Sequence, residues 1–329
     1  MKIDIHNHYY PEAFIKELEK GAIPTLQIVR DEVGRNIMVH KGTRVVTITP
    51  PMNNVDLRLK DMAKVGIDMQ VLSLSIPSVD AFPPEEGMTF AQMVNEELSN
   101  ISKKYPDQFV FFATTPLKAK EGAIAELNRA VKELGARGVI LGSNIDGRPL
   151  DSSEFRSFFS RVAELDIPIL IHPMTPAGND SMNDYRLAPM IGFEMDLCLA
   201  AVRMIMGGIL RDFPDLKLII SHLGGAIPYL IERIENCFLA YPECKVNIQD
   251  SPKNYLKKIY LDTVSFHPPA LMCAYAFPGP KRLILGSDYP HVIGDIERSI
   301  SSIQNLNIPD KEKEWIFSEN LKPLLKLSN

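Results

Sequence analysis

Met1-Lys2-Ile3-Asp4-Ile5-His6-Asn7-His8 opens the chain as an alternating strand. Strict alternation predicts Ile3 and Ile5 on one face and Asp4, His6 and His8 on the other. Two imidazoles two residues apart on a strand point to the same side and can grip one ion. Such pairs also occur on exposed strands, so the weight of this one depends on what arrives at the ends of other strands.

Working outward, apolar runs follow at 69–76, 109–114, 138–141, 168–172, 216–222, 259–264 and 283–288, with amphipathic helical patterns between them. Continuous apolar strands alternating with helices imply a parallel sheet covered on both faces. Eight of them predict a closed (β/α)8 TIM barrel, and 329 residues suit one barrel with insertions. An open doubly wound sheet is the lesser alternative, and no Gly-x-Gly-x-x-Gly follows the first strand to support it. Residues 21–51 break the rhythm, being rich in β-branched residues with turn signals near Gly34 and Gly42. They are expected to form a small β-rich insertion within a single barrel domain, 1–329.

Composition narrows the partners. The formal net charge of −5 leaves no electrostatic footprint for nucleic acid, and no apolar run reaches membrane-spanning length. The four cysteines form no Cys-x-x-Cys and no regular framework, which reads as buried thiols in a reducing compartment. The strand pattern starts at Met1 with no charged and apolar leader before it. A cytoplasmic location is expected.

Three strands deliver ionisable residues to their C-terminal ends, the face where barrel enzymes keep their chemistry. One runs Ile169-Leu170-Ile171 into His172-Pro173, another Leu218-Ile219-Ile220 into Ser221-His222, and the last Leu283-Ile284-Leu285 into Gly286-Ser287-Asp288. In a closed barrel the eighth strand lies beside the first, so His6, His8, His172 and Asp288 can converge on one ion. Three imidazoles and a carboxylate suit Zn²⁺ and tolerate Mn²⁺ or Fe²⁺, with a position left open for water or substrate. A lone histidine at a strand end is more often structural, and His40 and His267 are read that way. His222 is open to three roles: fifth ligand, structural histidine or acid/base. The last is preferred because a histidine pKa sits near working pH. His291 is close enough to Asp288 to join a substrate site, capping of the following helix being the plainer role.

Asp4-x-His6-x-His8, His172-Pro173, Ser221-His222-Leu223-Gly224-Gly225 and Gly286-Ser287-Asp288-Tyr289-Pro290-His291 resemble, in order and over essentially the whole chain, the amidohydrolase-related family. Within it they are most similar to the 2-amino-3-carboxymuconate 6-semialdehyde decarboxylase group. The resemblance implies a metal-dependent barrel with ligands at His6, His8, His172 and Asp288 and an acid/base at His222, and its His-x-His form favours zinc, with manganese second. It also implies two arginines for substrate carboxylates. Arg44 in the insertion is one; the other is Arg233, on the helix after the sixth strand, lent by the neighbouring subunit of a homodimer. Arginine suits this task because its planar fork bonds a carboxylate bidentately. The group lacks the bridging lysine of two-metal relatives, and here too the fourth strand ends Val139-Ile140-Leu141-Gly142. The loop 175–189 departs from the group's pattern and lacks its tryptophan. The expected activity is metal-dependent non-oxidative decarboxylation of a small unsaturated or aromatic carboxylic acid. Hydrolysis of a lactone, ester or amide on the same barrel is the alternative.

Overall fold

The computed structural model describes residues 1–176 and 178–327. Eight strands, β1 (Ile3–His8), β2 (Met69–Ser73), β3 (Phe109–Thr114), β4 (Gly138–Gly142), β5 (Pro168–His172), β6 (Lys217–Ile220), β7 (Tyr260–Asp262) and β8 (Leu283–Ile284), lie side by side in chain order. Neighbouring strands pair in parallel. The last returns to the first: Ile5 N–H donates to the Leu285 carbonyl (3.0 Å), Asp288 N–H to His6 (2.8 Å) and His8 N–H to Tyr289 (2.7 Å). The sheet therefore closes into a (β/α)8 barrel.

Parallel register separates two cores. Ile140, Leu170 and Ile219 stand level on adjacent strands and pack with Val71, Phe112 and Ile284 in a compact cluster that Leu321, Leu324 and Leu325 join from the C-terminal turns. This is the barrel interior. The intervening residues, such as Ile169, Ile171 and Leu218, pack outward against the helices in the larger core. His172 lies two residues beyond Leu170 and so points to the inner side.

β1 departs from the expected alternation. Its pairing with β2 slips between Asp4 and Asn7, a β-bulge, because Ile3 and Asp4 face Met69 and Gln70 whereas Asn7 and His8 face Leu72 and Ser73. The extra residue turns two consecutive side chains inward: Ile5 packs in the interior cluster with Ile3, and His6 joins His8 at the mouth. Asp4 thus does not share the face of His6 and His8, as strict alternation predicted. It is fully buried on the outer side, where it accepts from Ser287 Oγ (2.7 Å) and Gln70 Nε2 (3.0 Å). Arg58, from the helix Val55–Val65, enters the same layer and donates to Asn7 Oδ1 and Gln70 Oε1 (2.9 Å each) and to the His8 carbonyl.

Between β1 and β2, Leu26–Arg30, Asn36–His40 and Thr43–Thr47 form a three-stranded antiparallel sheet. The eighth strand is shorter than the apolar run suggests: its ladder ends at Ile284, and Asp288 adopts a left-handed backbone, φ 56°. The helix that follows, Ile296–Gln304, is capped by Asp295, which accepts from Arg298 N–H, and not by His291. No helix among the described residues is long and apolar enough to cross a membrane.

Candidate active site

At the C-terminal ends of the strands the polar side chains meet. His6 Nε2 lies 3.1 Å from His8 Nε2, and Asp288 Oδ1 stands 3.3 Å from the first and 3.5 Å from the second. The ring of His172 is 4.6 Å from that of His8 and 5.2 Å from that of His6, and His222 stacks on His6 at 5.2 Å. One ligand atom each from His6, His172, His222 and Asp288 can be chosen so that all lie within 4.8 Å of one another.

The far sides of the rings decide which atoms face inward. His6 Nδ1 is bonded to Asp262 Oδ2 (2.5 Å), His8 Nδ1 to Ser73 Oγ (3.2 Å), and His172 Nδ1 to the Pro173 carbonyl (2.9 Å). With Nδ1–H spent on those acceptors, each Nε2 presents a lone pair to the common centre. Among the described residues, Asp288 Oδ1 and His222 Nε2 are buried with no hydrogen-bond partner. Buried polar atoms without partners are costly and uncommon. Electrostatics point the same way. Burial disfavours a charged His6 ring, yet Asp262 and Asp288 outweigh it and push its pKa up. Burial likewise opposes ionisation of Asp288, but His291, His6 and His8 hold its carboxyl well below the usual carboxylate range. The cluster therefore calls for positive charge where its lone pairs converge, and a divalent ion fits that donor set.

His222 is held from behind. Its Nδ1 is bonded to Glu194 Oε1 at 2.8 Å, and Glu194 opens the helix Phe193–Met206. The turn that carries His222 is strained: His222, Leu223, Gly224 and Gly225 all have positive φ. Gly225 is required by close approach, since a Cβ there would stand 2.2 Å from the Glu194 carbonyl oxygen. That contact is what brings Glu194 under the imidazole.

Above the cluster lies a cavity of about 190 Å³, too small for most drug-sized ligands. His172, His222, Asp288 and His291 line its floor. His291 is not a helix cap; its Nε2 is 3.3 Å from Ser75 Oγ and its ring 5.1 Å from that of His8. Arg44 and Arg233 are both exposed and outside the cavity lining. The arginines that do line it are Arg35 and Arg186, neither marked by any strand-end rule. Asp262 could have been found, because it too ends an apolar strand, Leu261-Asp262. Glu194 carries no local signal. His40 bonds Thr175 Oγ1 (2.9 Å) away from the cluster, and His267 sits at the N-cap of the helix Pro268–Ala276.

Comparison with known proteins gives the class. The amidohydrolase family profile matches residues 3–326, and the chain belongs to that family. It is 30% identical over 318 residues to the 2-amino-3-carboxymuconate-6-semialdehyde decarboxylase of Dictyostelium discoideum, covering 95% of this chain and 88% of that protein. It is 29% identical over 287 residues to the gamma-resorcylate decarboxylase of Rhizobium sp. (strain MTP-10005), covering 83% of this chain and 87% of that one. Among solved structures, the dihydroxybenzoic acid decarboxylase of Polaromonas sp. JS666, with bound manganese and the inhibitor 2-nitroresorcinol, superposes with a TM-score of 0.81 at 25% identity, covering 99% of this chain and 96% of that one.

Proposed function

We propose that the protein is a metal-dependent non-oxidative decarboxylase of a small unsaturated or aromatic carboxylic acid. The observation that carries this reading is the inward convergence of His6 Nε2, His8 Nε2 and Asp288 Oδ1 beside the unpartnered His222 Nε2. The decarboxylases to which the chain is similar support the reaction type. His6, His8, His172 and Asp288 would hold one divalent ion. Zn²⁺ is proposed from the donor set, and Mn²⁺ is the second choice because a related structure holds it. When bound, such an ion supplies fixed positive charge that orients the substrate and stabilises negative charge developing on it.

The chain's own residues supply the rest. His222 Nε2 faces the substrate space, with Nδ1 anchored on Glu194, so it can deliver a proton to the ring or chain carbon that bears the carboxylate. The bond from that carbon to the carboxylate then breaks, its electron pair restores the conjugated system, and CO₂ leaves. His291 lines the same space and would contact the substrate. The apolar walls keep bulk water from the intermediate. The functional unit is proposed to be a homodimer in which Arg233 serves the neighbouring site. The thiols are unbridged, which supports a cytoplasmic setting, but of the four only Cys198 is buried as expected, and Cys273 is exposed.

The direct test measures CO₂ released from a panel of aromatic and unsaturated acids, with lactones and esters run alongside. Purified protein should carry about one divalent ion per chain, and His172→Ala should lose both ion and activity. Full activity after chelator treatment, or ring opening of a lactone with no CO₂ from any acid, would overturn the reading.

A further inference from the structure

We infer that Asp262 is a positioning residue that couples the ion site to the acid/base, because its one carboxylate holds both His6 and the turn carrying His222. This rests on the roles proposed above for His6 and His222. Asp262 ends β7 and is fully buried. Its Oδ2 lies 2.5 Å from His6 Nδ1 on β1. Its Oδ1 accepts from Leu223 N–H (3.1 Å), in the turn after β6, and from Val264 N–H (2.9 Å). β8 stands between β7 and β1 in the sheet, so the contact with His6 crosses a whole strand. Gly286, just past β8, permits it: a Cβ there would stand 3.0 Å from the Cβ atoms of both Asp262 and His6. A side chain at that position would press on the two partners at once.

Each oxygen has its own task. An ionised carboxylate only accepts, so Oδ2 keeps the shared hydrogen on His6 Nδ1 and leaves the Nε2 lone pair for an ion. At the other end, His222 and Leu223 are both left-handed, at φ 50° and 57°, which costs free energy in residues other than glycine. Donation from Leu223 N–H to a charged acceptor offsets part of that cost. No lysine or arginine pairs with Asp262 among the described residues, so the imidazole and the two amides alone answer its charge. Glu194 fixes the ring of His222, whereas Asp262 fixes the backbone beside it. Positive charge brought to His6 Nε2 strengthens the Nδ1–H donor, and the carboxylate that receives that hydrogen bond also holds the turn. Loading the ion site and setting the His222 backbone therefore favour each other, each by the same factor.

The test reads ion affinity and backbone exchange, neither of which needs a substrate. Asp262→Asn is nearly isosteric. With its oxygen on the two amides, its Nδ2–H faces His6 Nδ1 and drives the imidazole hydrogen to Nε2, where the ion should sit. Competition with a chromophoric chelator should show Zn²⁺ held about 10–100-fold more weakly than by wild type. The coupling itself is measured in His222→Asn, whose turn has no imidazole to touch the ion. Saturating Zn²⁺ should slow amide hydrogen exchange at Leu223 in that protein by about 5-fold or more, and adding Asp262→Asn should abolish this protection. Unchanged exchange at Leu223 on loading His222→Asn would overturn the coupling without recourse to any Asp262 variant. So would an Asp262→Asn protein that binds Zn²⁺ as tightly as wild type, or one whose exchange rises evenly over the barrel, the mark of a purely structural role. Loss of the ion from His222→Asn would make His222 a ligand and overturn it as well. CO₂ release is scored separately: its absence for every acid sinks the decarboxylase reading, while the exchange at Leu223 still decides the coupling.

Discussion

Glu194 raises the proton affinity of the proposed acid/base. Burial disfavours the His222 imidazolium, but the charge of Glu194 and its 2.8 Å hydrogen bond outweigh burial and hold the ring above the ordinary histidine range. A protonated His222 is present below its pKa and lost as pH rises through it, so the alkaline limb of the rate profile belongs to this group. Glu194→Gln keeps the shape of the contact and removes the charge. The expected result is an alkaline limb of kcat/KM moved to lower pH; a limb that stays in place would detach Glu194 from His222. His222→Asn should retain the ion yet lose turnover by about 10²–10⁴-fold, the usual range for general acid–base catalysis. Metal analysis of that variant decides the alternative, since loss of the ion would make His222 a ligand.

At the scale of the element, the decisive feature is the bulge in β1. Without it the side chains of Ile5 and His6 would point to opposite faces, and His6 and His8 could share the mouth only if Ile3 and Ile5 left the interior. The bulge is braced from outside by Arg58, fully buried and bonded to Asn7, Gln70 and the His8 carbonyl. Its ring neighbours Tyr289, at 4.9 Å, and Tyr9, at 5.8 Å, face the guanidinium. Burial pushes Arg58 down to about 10, so it remains charged at neutral pH. Arg58→Met would fill similar space and leave three buried acceptors unpaired. The expected cost is about 3–5 kcal/mol in urea denaturation, together with weaker ion retention because the His8 backbone loses its brace. A loss under about 1 kcal/mol would show that the bulge holds without it.

At the scale of the whole molecule, assembly remains to be tested through Arg233. Its helix, Ile227–Ala240, follows β6, and the acids beside it are engaged elsewhere: Glu232 pairs with Lys253 (2.5 Å) and Glu235 accepts from Ser251 (2.6 Å). Tyr229, 82% exposed, lies one turn earlier on the same face. An exposed tyrosine and arginine side by side have the composition of an interface centre. A two-fold axis would repeat the contact, so each site would receive one arginine. Mixing Arg233→Ala chains with His222→Asn chains tests this. If Arg233 crosses over, each heterodimer has one site with both lesions and one with neither, and activity returns toward half of wild type. Subunit exchange without recovery would confine Arg233 to its own chain or to no role at all.

Much of this was legible in the chain because its signals are local and periodic. Eight apolar runs with helical patterns between them define a closed barrel, and an ionisable residue at the end of a strand falls on the one face where all eight ends meet. His6, His8, His172, His222 and Asp288 were found by that rule, and Asp262 obeys it too. What the tertiary structure decided are the features that depend on register and close approach. The bulge brings His6 and His8 to the side of Ile3 and Ile5 and leaves Asp4 on the other, which alternation by itself cannot foresee, because it depends on how β2 pairs with β1. Glu194 reaches His222 only where Gly225 lets two backbones touch. Arg35 and Arg186 line the cavity from an insertion and a loop whose sequences carry no periodicity. Arg44, chosen from the resemblance, points to solvent. A strand's direction can be read from its own residues, whereas the partner of a loop side chain is chosen by the distant segment folded against it.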